Sequence, residues 1–438
     1  MITSHSNLKI GSCSSPLLHD SDKQNENSDS MVNDMINPKP KTTDIVLDKL
    51  LSFSTTYMKS DLSSDRLIAT LMYRTKSTCA SQLSYGTDQN LSPAPDSCAT
   101  PLPISPVSAF TDGQLQNSSL TSNSSSEASC SPGISCLCIN TFQNLVSSLL
   151  LNKGSPALTF SQKNLDKPKD PLIIELTSSK FLKHKIQNLS ILSTHELIQK
   201  FEADWNVDII FQVDKVFRRY PRLVCFDMDS TLIQEELIDL IATSIGVEAE
   251  VSALTEKAMN GELDFLESLK MRVKLLKGVE EDIFIKLRDS ITPTRGVKEL
   301  IRALKKIGVH TAVFSGGFLP TVSWLAGELG IDYAHANVLS VSDGRFTGEL
   351  EGEIINAERK RTLLCETAKE KNIELNQTIA VGDGANDLLM LGAAGLGVAW
   401  NAKPFVQKQV QAKLNRESLL DLLYLFGFNT EEISSLVS

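Results

Sequence analysis

Residues 224–236 read VCFDMDSTLIQEE. Three apolar residues, ending at Phe226, run directly into Asp227 and Asp229. The apolar run predicts a buried strand, but two carboxylates at its end repel each other, and each raises the pKa of its neighbour. A divalent cation removes this cost, and Mg²⁺ favours one or two carboxylates together with phosphate and water. Taken alone, so short a motif is also compatible with a solvated acidic strand end.

The two aspartates suit phosphoryl transfer. A carboxylate that is free to attack phosphorus forms an aspartyl phosphate. A second carboxylate beside it can protonate the leaving oxygen and then activate water. This chemistry predicts different roles for Asp227 and Asp229.

From Pro221 onward the chain alternates short apolar runs with amphipathic helical segments. The apolar runs end in acidic, small or glycine residues, and they read LVCFDMD, HTAVFSGG, TIAVGDGAND and LGVAWNA. The alternation predicts an α/β fold with a doubly wound parallel sheet. Ligands of such sheets bind beyond the carboxyl ends of the strands, where the polar clusters of this chain fall.

One connection in this pattern is about twice as long as a normal βαβ crossover. Its helical periodicity predicts an inserted helical cap at residues 232–293, between core segments at 220–231 and 294–438. The later sequence NVLSVSDGRFTGELEG predicts a hairpin with Asp343 and Gly344 at its turn.

The first 132 residues are rich in Ser, Thr, Asn, Asp and Pro. We interpret residues 1–132 as a disordered leader and expect it to be dispensable for catalysis. Two patches inside it, DIVLDKLLSF from Asp44 and DRLIATLMY from Asp65, are candidates for short amphipathic helices.

Residues 133–219 predict a small α+β domain. CLCINTFQNLVSSLLL suits a strand or a helix, whereas PLIIELT and VDIIFQV suit strands. THELIQKFEADW suits a helix with Thr194 as its N-cap.

Composition excludes several classes of protein. The net charge of the 438-residue chain is −10, which argues against a general surface for nucleic acid or anionic membrane. No stretch approaches the roughly 20 apolar residues of a membrane helix, and the N-terminus lacks the features of a targeting peptide. The eight cysteines show no paired spacing and are typical of reduced thiols. We therefore expect a cytoplasmic protein with no nucleic-acid or membrane partner.

A second pair of carboxylates, Asp383 and Asp387, follows another apolar run in VGDGANDLLML. Gly382 and Gly384 would let the backbone approach a ligand closely. The alternative, a turn and a helix N-cap, does not explain why two acidic strand ends belong to one sheet. We expect Asp387 to orient other groups rather than to bind metal directly.

Two further signals suit a phosphoryl group. FSGGF supplies the Ser315 hydroxyl and the amides of Gly316 and Gly317, which suit phosphoryl oxygens. Lys360, near a helix start, can offset phosphate charge. Alone, SGG would suit a plain strand-to-helix turn equally well, and a lone lysine on a helix is usually solvated.

Together, DMDST, SGG, the downstream lysine and GDGAND resemble the four motifs of the haloacid dehalogenase (HAD) phosphohydrolase superfamily. EELIDLIA, TEKAMNGELDFLESLKMRVKLLKG and AWNAKPFVQKQVQAKLN resemble the phosphoserine phosphatase family, especially its eukaryotic microbial forms. The resemblance runs from about Leu223 to Ile433. It implies Mg²⁺-dependent hydrolysis of O-phospho-L-serine to L-serine and phosphate through an aspartyl phosphate, as the final step of serine biosynthesis.

The resemblance also implies residue roles. Asp227 would be the nucleophile and Asp229 the general acid and base, and Mg²⁺ would bind the Asp227 carboxylate, the Asp229 main-chain carbonyl and Asp383. The substrate and its phosphoryl group would be held by eight residues: Glu236, Met259, Phe265, Arg272, Ser315, Gly316, Lys360 and Asn386.

The charges of two cap residues fit this substrate. Phosphoserine carries an ammonium, which needs an anion such as Glu236, and a carboxylate, which suits a bidentate cation such as Arg272. Without the resemblance, Met259 and Phe265 would be interpreted as ordinary core residues.

Many relatives carry a small ACT-like βαββαβ domain before the catalytic domain, and residues 133–219 are a candidate for a degenerate version. Two other functions stay open: a phosphatase or phosphotransferase for another small phosphomonoester, and a non-catalytic amino-acid sensor, against which the intact acidic residues argue. A membrane ATPase of the superfamily would need DKTGT and transmembrane helices, and the sequence has neither. Apart from the small-molecule substrate, a homodimer is the one partnership left open.

Overall fold

The computed structural model describes residues 66–75, 133–151, 158–181, 189–259 and 263–438. These residues form a four-stranded and a seven-stranded sheet. The strands of the smaller sheet are β1 (Arg66–Tyr73), β2 (Phe160–Asn164), β3 (Ile173–Phe181) and β4 (Val207–Val213). Those of the larger sheet are β5 (Leu223–Phe226), β6 (His310–Phe318), β7 (Tyr333–Ser342), β8 (Arg345–Glu351), β9 (Thr378–Gly382), β10 (Leu396–Trp400) and β11 (Ala412–Leu414).

Helices connect the strands of both sheets. In the N-terminal domain they are Cys136–Leu150, Leu189–Ser193, Glu196–Asp204 and Val216–Arg219. Between β5 and β6 they are Leu237–Ile245, Glu248–Met259, Phe265–Leu275, Ile283–Lys286 and Val297–Lys306. The remaining helices are Leu319–Leu329, Ala357–Glu370, Leu388–Ala393, Pro404–Gln407, Leu422–Leu425 and Thr430–Val437. Among the described residues, no helix combines the length and the apolar character that crossing a bilayer requires.

The larger sheet has the order β11-β10-β9-β5-β6-β7-β8. Its pairs are parallel except for β7 and β8, which form the hairpin. The α/β fold with a parallel sheet is therefore confirmed. Strand β5 lies between β9 and β6, so three strand ends meet at one edge of the sheet.

The insertion predicted at residues 232–293 is closed at its base by an isolated bridge between Ile233 and Pro293. Of its helices, Leu237–Ile245 contacts β6 and Phe265–Leu275 contacts β8. At the hairpin turn, Asp343 and Gly344 have φ values of 52° and 73°. Positive φ at both central residues matches the right-handed twist of the flanking strands.

The smaller sheet has the order β2-β3-β1-β4, and all its pairs are antiparallel. Helix Cys136–Leu150 connects β1 to β2, and the helix Glu196–Asp204 precedes β4. The chain order is therefore βαββαβ, the split arrangement of ferredoxin-like domains. Strand β1, which comes from the predicted leader, lies inside this sheet between β3 and β4.

Two predictions for this half of the chain were wrong, the helix from Asp65 and the Thr194 cap, and the predicted leader includes a strand. The leader is not structureless throughout, because Arg66–Tyr73 forms a strand rather than the helix suggested from Asp65. The patch from Asp44 lies outside the described residues. The helix Glu196–Asp204 is capped by His195, whose Nδ1 accepts from Leu197 N at 3.2 Å, and not by Thr194.

The strand was missed because both faces of β1 are buried. Leu67 and Leu71 pack on one face with Phe142 of the helical layer. Met72, on the other face, belongs to the core of the larger domain. A strand buried on both faces reads as a continuous apolar run, which periodicity cannot separate from a buried helix.

The two domains share a core. Met72, Ile173 and Ile210 from the smaller sheet pack in one cluster with Phe426 and Phe428 near the C-terminus. Hydrogen bonds border this contact: Arg416 Nη1 donates to Tyr73 O at 2.8 Å, and Asn415 Nδ2 donates to Asp208 Oδ2 at 3.1 Å. The smaller sheet is therefore packed between its own helices and the larger domain.

This packing predicts that β1 is needed for stability. Deleting residues 1–132 removes an inner strand, so we expect a lower Tm or aggregation, whereas deleting residues 1–60 removes none of the described contacts. Leu71→Ala should lower the free energy of unfolding by about 2–5 kcal/mol, as buried leucines do. Thermal and denaturant unfolding test these changes. An unchanged Tm after deletion of 1–132 would show that β1 is not part of the stable domain.

Candidate active site

Asp227 continues the buried strand β5 by one residue. Its backbone N–H donates to Val381 O of β9 at 2.9 Å, so the backbone ladder extends to Asp227. Its Oδ1 accepts from Met228 N at 2.7 Å, and the side chain is buried. The sheet thus fixes both the backbone and the carboxylate plane of Asp227.

Lys360 lies fully buried beside this carboxylate. It is carried by the helix Ala357–Glu370, whose N-cap Asn356 accepts from Arg359 N at 2.9 Å. Lys360 Nζ lies 2.7 Å from Asp227 Oδ1 and 2.8 Å from Asp387 Oδ1. Burial alone would lower the pKa of Lys360, but the two carboxylates raise it above its ordinary value, so the ammonium stays charged.

Asp387 ends the 3₁₀ turn Ala385–Asp387 that follows β9. Its Oδ1 accepts from Lys360, and its Oδ2 accepts from Gly384 N at 3.1 Å. A Cβ at Gly382 would lie 2.5 Å from the Asp387 carboxylate, which explains glycine at that position. Both oxygens of Asp387 are thus engaged in holding Lys360 and the turn.

Carboxylate oxygens of Asp227, Asp383 and Asp387 lie within 4.8 Å of one another. Burial, and then the charge of Asp387, raise the pKa of Asp227 well above its ordinary value, while Lys360 opposes the rise. The same two causes raise the pKa of Asp383 to about 7. Buried carboxylates at this spacing need a cation to ionise together.

The donor set fits Mg²⁺. Asp227 and Asp383 offer hard carboxylate oxygens, which this ion prefers. Thr231 Oγ1 donates to Asp383 Oδ1 at 3.2 Å and orients that carboxylate. Asp387 is less suitable as a ligand, because Lys360 and Gly384 already occupy its oxygens.

Asp229 is placed to carry a proton. Burial, and then the charge of Glu236, raise the pKa of Asp229 well above its ordinary value, with Lys360 opposing. Its Oδ1 is buried, and no group in the described part of the chain donates a hydrogen bond to it. A carboxyl group in this environment favours its protonated form, which suits a general acid.

Strand β6 leaves its regular pairing where SGG begins. Phe314 pairs with His335 of β7, but the next pair joins Phe318 to Asn337, so the β6 residues between them bulge from the ladder. Ser315 is fully buried, and its Oγ accepts from Gly317 N at 2.9 Å. A Cβ at Gly317 would lie 3.2 Å from Asp229 Oδ2, so this bulge borders the acid.

The cap supplies charges of both signs. Glu236 precedes the helix Leu237–Ile245 and accepts from Ser230 Oγ at 2.9 Å. Burial lowers the pKa of Arg272, while Asp239, Glu236 and Asp229 oppose this change, which places the guanidinium in the field of the site. The charges of Glu236 and Arg272 are therefore both felt at Asp229.

The other predicted residues are placed less completely. Met259 ends one cap helix and Phe265 begins the next, but their side chains are outside the described part of the structure. The Asn386 side chain folds over Gly384, where an added Cβ would lie 2.2 Å from Asn386 Oδ1.

Sequence reasoning assigned no role to three residues of this site. Ser230 has a φ of 54°, and its hydroxyl donates a hydrogen bond to Glu236. The Thr231 hydroxyl donates a hydrogen bond to Asp383. Both belong to the DMDST motif, so their position next to the aspartates was a usable signal. Asp239, whose charge acts on Arg272, lies on a helix and gave no such signal.

Known proteins resemble this chain in sequence and fold. Residues 221–395 match the haloacid dehalogenase-like hydrolase family. A phosphoserine phosphatase of Saccharomyces cerevisiae is 41% identical over 276 residues, which cover 62% of this chain and 86% of the yeast protein. A probable phosphoserine phosphatase of Schizosaccharomyces pombe is 42% identical over 282 residues, covering 61% of this chain and 95% of that protein.

A HAD family hydrolase from Salmonella enterica serovar Typhi has a similar solved structure. Its TM-score is 0.54 at 30% sequence identity, and the match covers 66% of this chain and 95% of the other. The matches to the two yeast proteins span most of their lengths. The chain therefore belongs to the phosphoserine phosphatase family of the HAD-like hydrolases.

Proposed function

We propose that the site around Asp227 hydrolyses O-phospho-L-serine to L-serine and phosphate, the final step of serine biosynthesis. The relative from S. cerevisiae is a phosphoserine phosphatase with which this chain shares 41% identity. The observation that carries the proposal is the buried contact of Lys360 with Asp227, at 2.7 Å, beside a second carboxyl, Asp229, with a raised pKa. The pKa of both carboxyls is raised, but of the two only Asp227 is in contact with the Lys360 ammonium, which favours its ionised, nucleophilic form. Asp229 would then carry the proton that the leaving oxygen needs.

In the first step, an oxygen of Asp227 attacks phosphorus and the bond from phosphorus to the serine oxygen breaks. Asp229 gives its proton to that oxygen, so serine leaves as a neutral alcohol. The product on the chain is an acyl phosphate at Asp227.

In the second step, Asp229, now ionised, takes a proton from water while the water oxygen attacks phosphorus. The bond from phosphorus to the Asp227 oxygen breaks, which releases phosphate and restores both carboxyl groups. Ser315 and Gly316, together with Lys360, would hold the phosphoryl oxygens throughout.

Mg²⁺ would be held by Asp227 and Asp383, with the Asp229 main-chain carbonyl as a further ligand. When bound, it would supply positive charge that allows the neighbouring carboxylates to ionise and that offsets the charge of the phosphoryl group. In this proposal, Asp387 positions Lys360 and does not bind the metal.

The cap would recognise the amino-acid part of the substrate. Glu236 would bind the ammonium, and Arg272 would bind the carboxylate through a bidentate contact. We propose that Asp239 helps to hold Arg272 on this side, since its charge acts on the guanidinium. Met259, Phe265 and Asn386 complete the proposed enclosure.

The domain assignment is also a proposal. Residues 220–231 and 294–438 would form the catalytic core, 232–293 the cap, and 66–219 an ACT-like domain whose first strand lies far upstream. A cytoplasmic location and a homodimer stay predictions.

The two aspartates predict different mutational effects. Asp227→Asn should abolish turnover with the fold retained, because an amide cannot form the acyl phosphate. Asp229→Asn should keep a residual rate, reduced about 10²- to 10⁴-fold, because only proton transfer is lost. Phosphate release measures both rates, and circular dichroism monitors the fold. Substantial turnover by Asp227→Asn would exclude Asp227 as the nucleophile.

The proposed role of Arg272 predicts a loss of activity that depends on the substrate. Arg272→Ala removes a charge-assisted contact with the substrate carboxylate that is worth about 1.5–3 kcal/mol. The value of kcat/KM for phosphoserine should fall accordingly. Phosphoethanolamine, which lacks the carboxylate, should be almost unaffected. Arg272→Lys should recover only part of the loss, because a point charge cannot replace the planar fork. Equal losses for both substrates would mean that Arg272 supports the cap and not recognition.

The acidic cluster predicts metal dependence. Chelation should stop turnover, and Mg²⁺ should restore it. Ca²⁺ should inhibit, because it takes more ligands at longer distances and would engage both oxygens of Asp227. Isothermal titration of the chelated protein should show Mg²⁺ binding that Asp383→Asn weakens. Full turnover in chelator would remove the metal from the proposal.

A further inference from the structure

We infer that Asn337 is a positioning residue that holds the two phosphoryl-binding segments of the site in one arrangement. The inference rests on the proposed function, because it concerns the segments that carry Ser315 and Lys360. Asn337 lies on β7, which contributes no residue to the predicted site. Its side chain is buried, with 1% of its surface exposed.

Asn337 makes two hydrogen bonds that point in different directions. Its Nδ2 donates to Gly316 O at 2.8 Å, and its Oδ1 accepts from Ile355 N at 2.8 Å. These partners fix the orientation of the amide, because a carbonyl can only accept and a backbone N–H can only donate. A single buried side chain therefore joins β6 to the segment that precedes the helix Ala357–Glu370.

The hydrogen bond from Asn337 Nδ2 to Gly316 O takes the place of a backbone bond between β6 and β7. The bulge between Phe314 and Phe318 removes Gly316 from the regular pairing with β7. Gly316 is partly buried, and a carbonyl left without a partner away from water would cost up to about 1–3 kcal/mol. The Asn337 amide supplies that partner. The bulge can thus be stable while it presents SGG to the site.

The same bond orients the Ser315 hydroxyl. In a planar trans peptide, the C=O and the N–H point in opposite directions. Fixing Gly316 O towards Asn337 therefore turns the Gly317 N–H the other way, where it donates to Ser315 Oγ at 2.9 Å. The orientation of Ser315 thus depends on Asn337 through one peptide plane.

The second hydrogen bond, from Ile355 N to Asn337 Oδ1, fixes the segment that leads to Lys360. Ile355 directly precedes Asn356, the N-cap of the helix that carries Lys360. Asn356 O accepts from Lys360 N at 2.9 Å. Anchoring Ile355 N therefore fixes the start of this helix, one turn before the ammonium that contacts Asp227.

Two substitutions separate these bonds. Asn337→Asp keeps the acceptor for Ile355 N but loses the donor to Gly316 O, and Asn337→Leu loses both at similar volume. Thr378→Val is the matched control. Thr378 is also buried in the sheet, and its hydroxyl donates to Leu375 O at 2.7 Å and accepts from Gly395 N at 3.3 Å, but it lies at the opposite end of β9 from Asp383.

We expect both Asn337 variants to lower kcat/KM about 10- to 100-fold, the size of effect that follows a displacement of about 1 Å at a catalytic site. The loss should be equal for phosphoserine and phosphoethanolamine, because Asn337 sets the phosphoryl end and not the carboxylate end. Titration calorimetry with inorganic phosphate should show weaker binding by a similar factor. Thr378→Val should lower Tm comparably while changing kcat/KM and phosphate affinity by less than about threefold.

Phosphate affinity is measured without turnover, so this test stands even if the wild-type chain does not hydrolyse phosphoserine. Wild-type phosphate affinity in the Asn337 variants would overturn the inference. Losses that match those of Thr378→Val at equal Tm would also overturn it, because they would reflect stability alone. If Asn337→Asp does not fold, Asn337→Leu decides by the same two readouts.

Discussion

The Nζ atom of Lys360 lies 2.7 Å from Asp227 and 2.8 Å from Asp387, and all three side chains are buried. A buried charge is tolerated only when it is paired and hydrogen-bonded, and removal of one partner leaves the other charge buried and unpaired. This contact joins three segments that are distant in sequence: the end of β5, the helix Ala357–Glu370 and the turn after β9. The geometry of the site depends on it.

The parallel sheet brings these segments together. Strand β5 lies between β9 and β6, so Asp227, Asp383 and Ser315 come from three adjacent strand ends. Backbone hydrogen bonds set the spacing between such strands, and the burial that makes the carboxylates costly to ionise comes from the same packing. Asn337 extends this order to the next strand, since it connects the β6 bulge with the segment leading to Lys360.

The sequence alone predicted the α/β fold, the insertion and the acidic strand ends, because apolar runs that end in charge are a strong local signal. It failed for β1, which is buried on both faces and separated by a long polar segment from the rest of its sheet. It gave no indication of Asn337, because the role of that side chain depends on a bulge in another strand. It also gave no indication that the charge of Asp239 acts on Arg272, since cap geometry is set by tertiary packing and not by periodicity.

The central claim is that Asp227 carries the phosphoryl group between the two steps. The direct measurement is acid quench during turnover of phosphoserine, followed by borohydride reduction and peptide mass spectrometry. Borohydride reduces an acyl phosphate to the alcohol, so an intermediate on Asp227 should yield homoserine at position 227 and at no other aspartate. Phosphate that remains on Ser230 or Ser315, or turnover with no reduced residue at 227, would contradict the account.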